Sequence, residues 1–267
     1  ISLIEVFKAK NVVSQHLPPS HLTKYPGLSN LFGFETYIKH ENQNITGSFK
    51  IRGGLNVMAN LKSAGVKGVV TFSTGNHGLS VATSAKLFNL KAVIVVPIGA
   101  NPVKINLIKQ AGAQVIEAGN NFDESSIVVA EISQKNGFYY VHPANEPHLV
   151  NGVGTEFLEI IEELPEVEAI ILPIGGGSEA AAATATLKPI NPNIDIIGVQ
   201  AKCSSAAYQS WQQGKIVESS NETLAGGFAT GTAYETTFDI YKNHLTDFVL
   251  LSENEILNGI ALAAHHT

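Results

Sequence analysis

The strongest constraint on what this chain folds into is a pattern that recurs along most of its length. A short apolar run is followed by a Gly or Asn turn and then by a helical stretch. The runs are residues 68–73, 91–97, 113–118, 139–142, 167–174, 194–200 and 247–251. They are apolar nearly throughout, as strands covered on both faces are. The expected fold class is therefore α/β, with two open, mainly parallel twisted sheets and helices on both faces. Pro102 and Gly112 bracket one connecting helix; Asp123, as a cap, and Gly137 bracket the next. Four strand–helix units between residues 50 and 148 suffice for a small sheet of their own. The expected domains are 50–148 and a larger one built from 1–49 plus 149–267. Ser252 and Glu255 make a capping-box pair, and the sequence stops inside the helical run they open, so a missing C-terminal segment is expected.

Composition narrows the function. A formal net charge of -6 with no basic run argues against nucleic acid, whose affinity comes largely from Lys and Arg on phosphates. No apolar stretch approaches the ~18 residues of a membrane span. Cys203 is the only cysteine, so no intramolecular disulfide forms, which fits a cytoplasmic setting. The histidines lack metal-ligand spacing with it. Cys203 reads as small apolar filler and Trp211 as packing.

In open α/β sheets, ligands lie beyond the carboxyl ends of strands, where loops meet helix N-termini. Three such places carry chemistry. In Thr46-Gly47-Ser48-Phe49-Lys50-Ile51-Arg52-Gly53-Gly54, Ser48 is placed to cap a helix running towards Gly65, with Lys50 in its first turn. The partial positive charge of the helix end favours the neutral amine that attacks a carbonyl; the alternative is a solvated lysine. Ser73-Thr74-Gly75-Asn76-His77-Gly78 offers backbone N–H groups, hydroxyls and an amide at a helix start, suited to a carboxylate. The alternative there is an ordinary turn in which Ser73 or Thr74 caps the helix. Arg52 is the only arginine, so a carboxylate would be held without a guanidinium fork. Gly175-Gly176-Gly177-Ser178-Glu179-Ala180 presents amides to an anion and also satisfies G-x-G-x-x-A. Asp195, about twenty residues on, opens the next strand instead of ending it; that end is occupied by Gln200. A phosphate monoester fits this loop better than a dinucleotide.

In this order and spacing the residues resemble the threonine/serine dehydratase and serine racemase branch of the fold type II pyridoxal-phosphate enzymes, along nearly the full chain. The likeness is carried by Lys39-His40-Glu41-Asn42 leading to Gly47-Ser48-Phe49-Lys50, by residues 73–78, by Asp123-Glu124-Ser125, and by residues 142–147 and 175–177. The resemblance implies pyridoxal 5'-phosphate in a cleft between two domains, held covalently by Lys50, which also removes the substrate Cα proton. Phe49 would pack on the pyridine ring and Asn76 would bond the ring hydroxyl. Gly175, Gly176, Gly177, Ser178 and Glu179 would hold the phosphate; Ser73, Thr74, Asn76 and His77 would hold the substrate carboxylate. The implied activity is an L-threonine or L-serine ammonia-lyase, converting a small β-hydroxy amino acid to a 2-oxo acid and ammonia, in a homodimer or tetramer. Alternatives are a dehydratase of the hydroxyaspartate or phenylserine type, a serine racemase, a cofactor-binding protein with weak activity and, in another class, an NAD-dependent oxidoreductase built on residues 175–180.

The departures are specific. Thr74 stands where serine racemases carry a serine acting on the second face, which argues against racemisation. Relatives often have an arginine at Ser126, a fourth glycine at Ser178 and an acid at Gly226. The divalent-cation site of some relatives uses acids at Gln200 and Ala206, so no metal is expected there. The hydroxyl partner of the pyridine nitrogen would lie beyond Thr267.

Overall fold

The computed structural model describes residues 1–119 and 122–267. The side chains of Asp123, the expected cap, and of Ser126 lie outside the described residues. The chain opens with α1 (Leu3–Val13), β1 (Leu22–Lys24), α2 (Pro26–Phe32), β2 (Tyr37–Lys39), α3 (Lys50–Ser63), β3 (Gly68–Phe72), α4 (Asn76–Leu87) and β4 (Lys91–Val96). There follow α5 (Pro102–Gln110), β5 (Gln114–Glu117), α6 (Phe122–Asn136), β6 (Tyr139–Tyr140), α7 (Pro147–Val153) and α8 (Thr155–Glu163). The remainder is β7 (Ala169–Pro173), α9 (Ser178–Ile190), β8 (Asp195–Ala201), α10 (Ala206–Gln213), α11 (Glu235–Tyr241), β9 (Asp247–Leu251) and α12 (Glu253–His266). Every apolar run read from the sequence contributes a strand. Pro102 is the first residue of α5, capped by the Asn101 side chain, and the Ser252–Glu255 capping box opens α12.

Two compact units result: residues 1–18 with 42–155, and residues 19–41 with 156–267. The first differs from the expected 50–148 in taking up the N-terminal helix. The reason is packing: α1 lies on α3 and α7, and Val13 and Leu17 join Ile51 and Leu55 in one buried cluster. Fully burying side chains of this size stabilises by about 1.5–3 kcal/mol each, more than a strand count alone can weigh.

The sheet of the first unit is wholly parallel, in the order β5-β4-β3-β6. Alternate residues of β4 serve opposite faces, as the two-residue strand period requires. Val93 and Val95 pack with Val70 and Val129 of α6, whereas Ile94 reaches Gly78 of α4. Because β3 lies between β4 and β6, the order reverses beside it. That switch point opens at the carboxyl ends of β3 and β6, where ligands bind in sheets of this kind. Beside the sheet, α3 meets its neighbours almost backbone to backbone. A Cβ on Gly54 would lie 2.3 Å from Ser80 Oγ of α4, and one on Gly152 of α7 would lie 2.5 Å from the Arg52 carbonyl oxygen.

The second unit holds the parallel sheet β7-β8-β9 and a separate antiparallel pair of β1 with β2, in register Thr23 to Ile38. This pair is absent from the sequence reading, since three-residue strands leave too little pattern to see. Cys203, expected as filler, is instead exposed in the turn after β8, because the chain leaves the sheet there. Trp211 packs against Tyr208 and Phe248.

Lys39 and Glu159 form a nearly buried ion pair of 2.7 Å, with side-chain exposures of 9% and 12%. Lys39 Nζ also donates to the Ser20 carbonyl at 2.7 Å, and the Ser20 N–H donates to Glu159 at 3.3 Å. Breaking such a pair strands a charge that folding has desolvated. Lys39→Met is expected to cost about 3 kcal/mol or more in urea unfolding, and Lys39→Met with Glu159→Leu to recover most of that loss.

Candidate active site

Lys50 is the first residue of α3, and its N-cap is Phe49, with φ -60° and no side-chain cap bond. The capping role expected of Ser48 is therefore corrected. The helix starts late enough to leave Ser48 outside the capping position, and its buried hydroxyl has no hydrogen-bond partner. Lys50 Nζ lies 4.9 Å from the centroid of the Phe49 ring, a cation–π distance. Ser80 of α4 donates to the Lys50 carbonyl at 2.6 Å, so the next helix fixes the backbone that carries the lysine.

That helix begins at Asn76, after an extended Gly75 and with no side-chain cap. Ser73 turns back instead: its Oγ accepts from the Gly75 N–H at 3.1 Å, and its own N–H donates to the Val95 carbonyl at 3.2 Å. A helix start with no side-chain cap, at the switch point of a parallel sheet, is where an anion is bound by backbone N–H groups. Asn76 is exposed, while Ser73 and Thr74 are half-buried.

His77 points elsewhere. Its ring is buried, with Nε2 3.1 Å from Thr71 Oγ1 and 3.2 Å from the Val141 carbonyl. Thr71 Oγ1 donates its own proton to that carbonyl at 2.7 Å, so Nε2 carries the imidazole hydrogen in this network. Burial, aided by the Lys50 charge, pushes the imidazole down to about 3. For a carboxylate, His77 thus offers its backbone N–H and not its ring. On the neighbouring loop, His142 Nδ1 accepts from the N–H groups of Ala144 and Asn145 at 3.0 and 2.8 Å. Burial lowers this imidazole to about 4.

In the second unit, β7 runs into Gly175-Gly176-Gly177 and then α9. Gly177 caps that helix at φ 79°, a left-handed conformation, and it has no side chain with which to fill the N-terminus. A Cβ there would lie 2.7 Å from the Tyr241 ring, and one on Gly175 would lie 2.2 Å from the Gly227 carbonyl oxygen. Thr237 of α11 donates to the Gly176 carbonyl at 2.8 Å, holding the loop. A glycine cradle opening a thirteen-residue helix fits a phosphate. A dinucleotide fits less well: Asp195 opens β8, and its carboxylate accepts from Thr246 Oγ1 at 2.8 Å. Gln200 is fully buried and accepts from the Tyr208 N–H at 3.0 Å. Among the described residues no group of three or more His, Cys, Asp or Glu is placed to hold a metal ion.

Sequence reasoning missed Ser80 and Thr237. Ser80 lies one turn beyond Asn76, a spacing that places it beside the loop, whereas nothing marks Thr237, 61 residues away from its partner Gly176.

The first unit thus offers a lysine opening one helix and an uncapped helix start, and the second a glycine loop opening another. Residues 13–267 match the profile of the pyridoxal-phosphate dependent enzymes, and the chain belongs to that family. It is 37% identical to an L-threonine ammonia-lyase of Thermotoga maritima over 97% of this chain and 65% of that protein. It is also 37% identical to an L-threonine ammonia-lyase of Geobacter sulfurreducens, over 90% of this chain and 60% of the relative. The chain thus spans less than two thirds of either relative. Among solved structures, a serine racemase from Dictyostelium discoideum superposes with a TM-score of 0.94 at 30% identity, covering 100% of this chain and 86% of that one.

Both imidazoles, His77 buried and His142 half-buried, have folded values below their ordinary 6.5, so the fold is more stable with them neutral. That contribution is complete above pH 6.5 and is lost as pH falls towards 4 and 3. The melting temperature should decline across that window. Up to about 1.4 kcal/mol per pH unit comes from His77, and His77→Gln should flatten the slope. Gly177→Ala should lower the melting temperature at every pH, by about 1–3 kcal/mol of backbone strain and crowding.

Proposed function

We propose that this chain is the core of a pyridoxal-phosphate-dependent ammonia-lyase acting on L-threonine or L-serine. The single observation that carries the reading is Lys50 at the start of α3, tied by Ser80 to the helix whose open N-terminus forms the Ser73–Asn76 turn. That bond supports the reading by linking the backbone of the proposed cofactor lysine to the helix after the proposed carboxylate turn. The names of the threonine ammonia-lyases it resembles support the choice of substrate.

When bound, pyridoxal phosphate supplies an electron sink that makes the substrate Cα–H acidic. Lys50 would hold the group through Nζ, and the same nitrogen would take the substrate Cα proton. Phe49 would pack on the ring, and the Asn76 amide would bond its hydroxyl. The amides of Gly175, Gly176, Gly177, Ser178 and Glu179 would hold the phosphate. The turn of Ser73, Thr74 and Asn76, with the His77 backbone N–H, grips the substrate carboxylate and so orients Cα–H towards Lys50. The β-hydroxyl would leave with a proton as water, and one water would then hydrolyse the released enamine to a 2-oxo acid and ammonia. We further propose a cytoplasmic homo-oligomer, a dimer or tetramer; none of the described helices is long and apolar enough to cross a membrane.

The test uses purified full-length protein. It should show the yellow band of a lysine-bound cofactor and release equal amounts of ammonia and 2-oxo acid from L-threonine or L-serine. Lys50→Ala should abolish both the band and turnover, a loss of at least ~10³-fold. A colourless wild type sinks the proposal, and D-serine accumulating faster than 2-oxo acid would make the enzyme a racemase instead.

A further inference from the structure

Four and two residues before Lys50 stand two hydroxyls that nothing in the fold employs. Thr46 and Ser48 are 6% and 8% exposed, and neither Thr46 Oγ1 nor Ser48 Oγ has a hydrogen-bond partner. A hydroxyl taken from water without a replacement bond opposes folding, and buried polar groups left so are rare. Valine and alanine would fill the same space without that penalty, so packing does not account for a pair of them in one turn. Capping does not account for them either. The fourteen-residue α3 starts at this turn without a side-chain cap, although Ser48 is of the residue type that usually supplies one. The turn itself is well defined: Gly47, between the two, has φ 71°, and its N–H donates to the Asn44 carbonyl at 2.7 Å. The donors are therefore held in place, dry and unused, beside the start of the helix that Lys50 opens.

We propose that Thr46 and Ser48 are ligand-binding residues, whose hydroxyls donate to an anionic oxygen of the pyridoxal phosphate carried by Lys50. This rests on the reading of Lys50 as the cofactor lysine. The ligand brings two kinds of anionic oxygen, those of its phosphate and that of its ring hydroxyl, and both accept from alcohols. With the ligand in place each hydroxyl gains the partner that the protein withholds.

Cofactor-free enzyme prepared from the wild type, Thr46→Val, Ser48→Ala and the double variant is titrated with pyridoxal phosphate and, separately, with pyridoxal. Each single variant should bind pyridoxal phosphate roughly 3- to 10-fold more weakly, and the double variant roughly 10- to 100-fold. The cofactor-free double variant should melt at or above the wild-type temperature, because no bond of its own is lost. Thr46→Ser, which keeps a hydroxyl, should bind like the wild type. Weakening confined to pyridoxal phosphate assigns the hydroxyls to the phosphate; equal weakening with pyridoxal assigns them to the ring oxygen. Unchanged affinity in the double variant overturns the inference, and so does a cofactor-free melting temperature that falls along with the affinity. A wild type that takes up no pyridoxal phosphate overturns the reading of Lys50 as well. A wild type that binds it while the double variant binds equally overturns the hydroxyl assignment alone.

Discussion

The close approach of α3 to its two neighbours is the constraint on which the first unit depends. Gly54 admits Ser80 and Ser84, and Gly152 admits the Arg52 backbone, at distances no side chain could share. Overpacking at such contacts costs about 1–3 kcal/mol. The helix is therefore held on two sides without the slack of interposed side chains. Arg52, the only arginine, is spent inside this contact: it is fully buried and donates to Thr155 Oγ1 at 3.2 Å. What the packing delivers is a lysine on a helix with little freedom to rotate. The hydrogen bond from Ser80 to the Lys50 carbonyl then ties it to the helix that follows the Ser73–Gly75 turn.

Polar groups are used sparingly and with purpose. Charged residues make up 15% of the chain, yet Lys39 and Glu159 are almost wholly buried around both backbone groups of Ser20. The imidazoles of His77 and the half-buried His142 act through opposite capacities. His77 donates from Nε2 towards the carbonyl beyond β6, whereas His142 accepts two backbone N–H groups at Nδ1. One clamps a strand and the other shapes a loop. A further proton would fill His142 Nδ1 and remove both of its bonds, whereas on His77 it would leave the Nε2 bond intact and place a charge in a dry interior.

The strands were legible because a parallel sheet covered on both faces must be apolar along its whole width, and such runs are hard to mistake. The glycine loop before α9 was legible for a similar reason: consecutive glycines followed by a helix leave few other uses. Contacts made through space were not. Nothing local distinguishes an imidazole turned towards Val141 from one turned towards a ligand, so His77 looked like part of the carboxylate turn in full. The identity of the residue at Ser48 said cap, but the onset of the helix is decided by the dihedrals of Phe49, which sequence type does not report. The N-terminal helix fell on the other side of the domain boundary, since its partners are Ile51 and Leu55 across a long interval of chain.

The strand order β5-β4-β3-β6 also bears on how the molecule comes into being. The turn that follows β3 is made early in synthesis, but the strand that completes its crevice is the last of the four to be produced. Val141 is 64 residues beyond His77, and until it arrives the imidazole has neither its carbonyl partner nor its cover. Closing so long an interval is slow compared with forming a helix. The turn after β3 thus gains its cover only once β6 has been made, and burial of the His77 ring reports the β3–β6 pairing.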